Sequence, residues 1–177
     1  ILVLCMLSLF ALTGLFTGCG DQKKDAAGSG EKVLRVGSSV DFAPFEFQDV
    51  DGKEYEGFDM DLIRAIGKEM GYKVEVQNIS FDGLIPSLEA DNIDAIITGM
   101  SITDERKEKV TFSQPYYQSG LTIVVKKDNS AIKSFKDLEG KKIAVQIGTT
   151  GATEAKKIAN AQVKEFNSSA DTFMELK

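Results

Sequence analysis

The order of hydrophobic patterns between residues 33 and 98 constrains this chain more than any other feature. Residues 33–37 read as a short strand. Residues 59–71 carry apolar side chains at 60, 62, 63, 66 and 70, the spacing of an amphipathic helix, with Gly71 as its stop. Residues 73–79 alternate as a strand, 82–90 suit a helix with Pro86 in its early turns, and 94–98 supply the next strand. That alternation predicts an α/β architecture: a parallel sheet with helices on both faces. Between the first strand and the first helix, residues 46–58 contain Asp51-Gly52, the dipeptide of a hairpin turn.

A second set of the same kind follows. A β-rich run over 121–125 leads to a helix near 135–138, a strand over 142–146, a glycine-threonine turn, a helix over 151–159 and a strand over 163–166. Two α/β units joined by an extended connector predict a bilobed molecule, with a first lobe over 33–119 and a partial second lobe over 120–177. A ligand would sit in the crevice at the carboxyl ends of the strands. One continuous sheet is the alternative reading of the same pattern.

Chemistry concentrates at residues 98–106, Thr-Gly-Met-Ser-Ile-Thr-Asp-Glu-Arg, which follow the apolar run Ile93, Ala95, Ile96 and Ile97. The run predicts a buried strand, Gly99 lets a ligand approach the backbone, and Thr103 suits the N-cap of a helix that opens with Asp104 and Glu105. Helical side chains lean toward the N-terminus. Arg106 can therefore swing back over the strand end, where the hydroxyls of Thr98 and Ser101 and free backbone N–H groups are expected to converge. A planar two-pronged donor there suits a carboxylate. The other reading makes Arg106 one charge of a solvated run over 104–109. Phe42 and Phe81 fall near the ends of the first two strands and could stand on either side of a ligand.

Charge and composition narrow the function. The 177 residues carry a formal net charge of −6, which disfavours a nucleic-acid partner. The absence of histidine excludes imidazole catalysis and histidine metal sites for the chain as given, and no metal or other cofactor is expected. Cys5 and Cys19 are the only cysteines, so no disulfide can form beyond residue 19. Residues 1–18 are almost wholly apolar and uncharged, and Phe16-Thr17-Gly18-Cys19 resembles the cleavage box of a bacterial lipoprotein, in which the cysteine carries the lipid. An uncleaved membrane helix is the alternative. Residues 19–32 lack large apolar side chains and read as a flexible tether. The chain opens on Ile1 without a basic region, and its last amphipathic pattern, over 170–177, has no closing glycine or proline, so a fragment is expected.

Several blocks in order resemble the extracytoplasmic amino-acid-binding proteins of ABC importers, in the polar-amino-acid group. They are Val36-Gly37-Ser38-Ser39 through Ala43-Pro44-Phe45-Glu46-Phe47, Gly57-Phe58-Asp59-Met60-Asp61-Leu62 and Phe81-Asp82-Gly83-Leu84-Ile85-Pro86-Ser87-Leu88. Asp94-Ala95-Ile96, Gly99 through Arg106, Phe112-Ser113-Gln114-Pro115-Tyr116-Tyr117 and Asp137-Leu138-Glu139-Gly140-Lys141 continue the series. The resemblance covers nearly all of residues 33–177.

It implies a hinged receptor with a periplasmic-binding-protein-like fold that closes on one amino acid. Arg106 would grip the α-carboxylate, helped by Ser101 and the backbone of Thr98, while the Gly99 carbonyl would accept the α-amine. Phe42 and Phe81 would flank the ligand side chain. From the second lobe, backbone N–H groups of Gly148-Thr149-Thr150 would meet the carboxylate and Gln146 would approach the side chain, with hinge strands near Gly120 and Leu121. Ser39 stands where relatives often have an acidic residue, so specificity does not carry over with the resemblance. The expected ligand is a free polar L-amino acid, glutamine first and a basic amino acid second. The expected setting is extracytoplasmic, a monomer lipid-anchored to the cell membrane that delivers to ABC permease subunits, with no catalytic residue. A ligand-sensing domain of a signalling protein is the first alternative. A cyclic-acid dehydratase is the second, for which Asp41 and Glu46 are the nearest candidates as general acid.

Overall fold

The computed structural model describes residues 31–177, so the apolar leader, Cys19 and the tether as far as Gly30 lie outside the described residues. The first sheet is built around β1 (Val33–Ser38), which pairs in parallel with β4 (Lys73–Asn78) on one side and β5 (Ala95–Ile96) on the other. Successive residues of a central strand face opposite sides. Val36 packs with Met60 and Ile63 of α1 (Phe58–Met70), whereas Gly37 lies against Ile93 and Leu84 of α2 (Leu84–Glu89). The expected parallel sheet with a helix on each face is what the chain forms.

The amphipathic stripe places Met60 and Ile63 in the core, and Gly71 closes α1 in the left-handed conformation that a side chain would resist. The hairpin also forms: β2 (Phe47–Gln48) pairs antiparallel with β3 (Tyr55–Glu56). The helix expected over 82–90 begins instead as a 3-10 turn, Phe81–Gly83, before α2. Pro86 then sits in the first turn of α2, where its missing N–H costs nothing.

Strand β5 is shorter than the expected 94–98. Beyond it, the N–H of Gly99 turns to the carboxylate of Asp59 at 2.8 Å, so a side chain takes the donor that a ladder would have used. The short helix α3 (Asp104–Lys107) follows, capped by the Thr103 hydroxyl as expected.

A separate sheet pairs β6 (Lys142–Gln146) in parallel with β7 (Gln162–Phe166) from Lys142↔Gln162 to Gln146↔Phe166. Its helices are α4 (Thr150–Lys156), three residues shorter at its end than expected, and α5 (Ser169–Leu176). The segment Phe135–Leu138 is a 3-10 turn held by a Ser134 and Asp137 capping box. The run over 121–125 is not a strand, because β-propensity becomes a strand only when a neighbour completes the hydrogen-bond ladder, and among the described residues none does. No helix among the described residues is long and apolar enough to cross a membrane.

Candidate functional site

Between the carboxyl end of β1 and the start of α4 lies a cavity of about 600 Å³, and all ten sequence-predicted ligand residues line it. Three belong to the second set of elements or its turn, Gln146, Thr149 and Thr150, and across from them the guanidinium of Arg106 reaches over from α3.

Arg106 does swing back. Its Nη1 donates to the Ser101 carbonyl at 2.7 Å and its Nη2 to the Gly148 carbonyl at 2.9 Å, while the guanidinium carbon stands 5.3 Å from the centre of the Phe81 ring. Burial pulls its pKa below the ordinary guanidinium value, and nearby Glu105 opposes that pull. A guanidinium nonetheless stays charged in protein surroundings, so a cation with a two-pronged face borders the cavity. Gly148 takes a φ of +75°, and a side chain there would begin 3.0 Å from the Asp82 Cβ. Only glycine lets this turn press against the first sheet's loops.

The hydroxyls behave differently from the expectation. Thr98 is buried and donates to Glu46 Oε1 at 2.9 Å while accepting the Ser39 N–H at 3.0 Å, so its hydroxyl ties the ends of β1 and β5 to the hairpin and does not face Arg106. A hydroxyl between a backbone donor and a carboxyl acceptor has little left to offer. Ser101 meets Arg106 through its carbonyl. Thr149 is the N-cap of α4, accepting the Ala152 N–H at 3.2 Å and donating to the Gln146 carbonyl at 2.7 Å. The glycine-threonine turn is thus a helix cap, and it presents a carbonyl oxygen, that of Gly148, to Arg106.

Gln146 Nε2 reaches the Asn167 carbonyl at 3.2 Å and lies 3.4 Å from the Ser39 hydroxyl, linking β6 to the end of β1. Asp41 accepts the Ser169 N–H at 2.7 Å at the start of α5, and its own carbonyl accepts the Ser169 hydroxyl at 2.6 Å. Two parts of the chain that are far apart in sequence are therefore clasped at three points.

Phe42 is half exposed at the wall and stacks on Phe45 at 5.8 Å, and Phe45 meets Tyr117 edge-on at 4.9 Å. Sequence reasoning assigned no role to Phe45, Tyr116 or Tyr117, although Phe45 follows Pro44 beside Phe42 and the two tyrosines are adjacent in a proline-containing loop. It also passed over Asp59, whose Oδ2 accepts from Gly99 and from the Tyr116 hydroxyl at 2.9 Å. An acid in the first turn of a helix ordinarily reads as a solvated complement to the helix dipole. Burial, then the charge and hydrogen bond of Asp59, push the Tyr116 hydroxyl above the usual phenol range. Among the described residues no group of three or more His, Cys, Asp or Glu is placed to hold a metal ion.

The sequence profile of the bacterial extracellular solute-binding proteins, family 3, matches residues 34–175. The arginine-binding extracellular protein ArtP of Bacillus subtilis is 37% identical over 177 aligned positions, covering 98% of this chain and 68% of its own length. A probable histidine-binding protein of Campylobacter jejuni is 43% identical over 161 positions, covering 88% of this chain and 62% of its own. Among solved structures, an ancestral arginine-binding protein bound to arginine shares 48% identity with a TM-score of 0.80, over 82% of this chain and 66% of that one. An ancestral amino-acid-binding protein, a precursor of cyclohexadienyl dehydratase, shares 48% identity with a TM-score of 0.77, over 81% of this chain and 65% of that one. The chain thus spans about two thirds of the length of these relatives.

Proposed function

The chain belongs to family 3 of the bacterial extracellular solute-binding proteins, and on that premise we propose that it captures a free α-amino acid in the Arg106 cavity for an ABC-type importer. The observation that carries this reading is the guanidinium of Arg106, held against Phe81 at the cavity wall with its two donor prongs on the carbonyls of Ser101 and Gly148. Those prongs are spaced for a carboxylate, a stronger partner for a cation than a neutral carbonyl. An arriving α-carboxylate takes the place of the Gly148 carbonyl, the Gly99 carbonyl receives the amine, and Phe42 and Phe81 flank the side chain. Thr98, Ser39 and Ser101 shape that end of the cavity, and Gln146, Thr149 and Thr150 close it from the second lobe.

In this reading residues 33–119 form the first lobe and 120–177 part of the second, and ligand contacts on both bias the molecule toward the closed arrangement. The ligand is a basic amino acid, ahead of glutamine. Relatives named for arginine and histidine support that order, which reverses the expectation from sequence, and so does the Asp41 carboxylate at the cavity wall. The names of the relatives are those of binding proteins, and delivery to permease subunits follows from the family. Lipid attachment at Cys19 and a monomeric state complete the proposal, the first supported by Thr17-Gly18-Cys19.

A thermal-shift panel of the twenty amino acids on the purified protein tests it. Ligand at 100 times its Kd adds about 2.7 kcal/mol of stability, so arginine, lysine or histidine should raise Tm clearly. If no amino acid moves Tm, the reading fails.

A further inference from the structure

Beside Gly99, at the edge of the cavity that Glu46 helps to line, two carboxyl groups are buried together without a cation. Glu46 enters from the turn before β2 and Asp59 from the first turn of α1, and they are 1% and 0% exposed. Each has one oxygen in use. Glu46 Oε1 accepts from the Thr98 hydroxyl at 2.9 Å, and Asp59 Oδ2 accepts the Gly99 N–H at 2.8 Å and the Tyr116 hydroxyl at 2.9 Å. The other two oxygens, Glu46 Oε2 and Asp59 Oδ1, are buried with no hydrogen-bond partner. A side chain built on Gly99 would start 3.9 Å from Glu46 Oε1, and the Gly99 N–H donates to Asp59, so both acids border that residue.

The titratable groups facing Glu46 are Asp59 of α1, Asp41 of the loop after β1 and, from the connector, Tyr116; among the described residues no lysine or arginine forms an ion pair with either acid. Two ionised carboxylates in such a place would repel each other after both had lost their hydration. One proton between them resolves the conflict, because it gives each unpartnered oxygen what it lacks. Burial first, and then the Asp59 charge, push Glu46 up to about 9.

We propose that Glu46 and Asp59 share one proton at neutral pH, Glu46 Oε2–H donating to Asp59 Oδ1, and that this acid pair is the positioning element that holds Thr98 and Gly99 at the ligand cavity. Its purpose rests on the amino-acid-binding reading above. The pair carries one negative charge, which Asp59 directs at the Gly99 N–H, and it fixes the backbone whose carbonyl receives the amine. Two charges would drive Glu46 from the core, and none would leave Gly99 and Tyr116 weakly held.

Infrared spectroscopy and unfolding of the ligand-free protein test the pair. Wild type at pH 7 should show the carbonyl stretch of a buried protonated carboxylic acid, absent in Glu46→Gln and fading in wild type as pH passes about 9. A carboxyl whose pKa is raised on folding binds its proton in the native state only. The stability of wild type relative to Glu46→Gln should therefore be highest below the ordinary carboxyl pKa, fall steadily as pH rises and level off above about 9. Glu46→Leu should weaken amino-acid binding at least ~10-fold, and Glu46→Gln, which returns a donor to Asp59, should recover most of that. No acid band in wild type, a band that survives Glu46→Gln, or parallel pH profiles would each overturn the shared proton. A band with no amino-acid binding would overturn the receptor reading alone, and binding without a band would overturn the pair alone.

Discussion

Truncating Arg106 tests the site most directly, because the structure gives its side chain two separable contributions. One is charge: the guanidinium is half-buried, and in the proposed complex it is the counter-charge for a desolvated α-carboxylate. Removing one partner of such a pair costs about 2–5 kcal/mol, and at about 1.4 kcal/mol per decade Arg106→Ala should weaken binding roughly 30- to 4000-fold. The other contribution is shape. Nη1 and Nη2 hold separate acceptors, Ser101 and Gly148, at 2.7 and 2.9 Å. A lysine keeps the charge and gives up one prong, a charged hydrogen bond worth about 1.5–3 kcal/mol, so Arg106→Lys should fall between wild type and alanine. Folding should survive both changes, since the contact with Phe81 at 5.3 Å is of a kind that contributes about 0.5–1 kcal/mol at exposed sites. Titration calorimetry at constant pH and salt measures all three proteins, with circular dichroism as the folding check. Folded Arg106→Ala binding within threefold of wild type would refute the carboxylate grip, and equal losses for lysine and alanine would show that charge alone has no role.

Two further perturbations probe the turn that faces that grip and an ion pair elsewhere in the first sheet. Gly148→Ala places a side chain at a φ of +75° and 3.0 Å from the Asp82 Cβ, so stability should fall by about 1–2 kcal/mol from left-handed strain, measured by chemical unfolding. Asp94 is held down to about 2 by hydrogen bonds from the Arg35 guanidinium and backbone N–H, a depressed pKa whose stabilisation is complete above the ordinary aspartate value and lost as pH falls toward about 2. Acid unfolding followed by fluorescence should therefore lose part of its steepness between about pH 4 and 2 in Asp94→Asn, and an unchanged acid limb would count against that pair.

Periodicity and local turn chemistry made most of the first sheet legible. The stripe of α1, its Gly71 stop, the alternation of β4 and the Thr103 cap each depend on residues within a few positions of one another, so sequence spacing is enough to read them. The run over 121–125 defeated the same reasoning, because Thr122, Ile123, Val124 and Val125 record only a preference, and a strand also needs a neighbour in register. Burial set the roles of two further residues, one that sequence reasoning passed over and one that it read differently. Asp59 looks like a solvated helix start until Gly99 and Tyr116 bring their donors to it, and the Thr98 hydroxyl looks free until Glu46 arrives from 52 positions away.

The same distinction explains the site. Ser39, Gln146, Thr149 and Thr150 came with the family resemblance, whereas that Phe42, Phe81, Thr98, Gly99, Ser101 and Arg106 would line the cavity could be read from residue types near strand ends, and all ten do line it. What those side chains bond to could not, because the partners are backbone carbonyls or residues far along the chain: Gly148 is 42 positions from Arg106, and Ser169 is 128 from Asp41. A carbonyl oxygen has no signature in a sequence, yet here one occupies a prong of the guanidinium that the ligand needs. Affinity in such a cavity is a difference between the ligand's carboxylate and the carbonyl it replaces. Mutations at Gly148 and Arg106 should therefore couple when combined, as contacts that share one donor do.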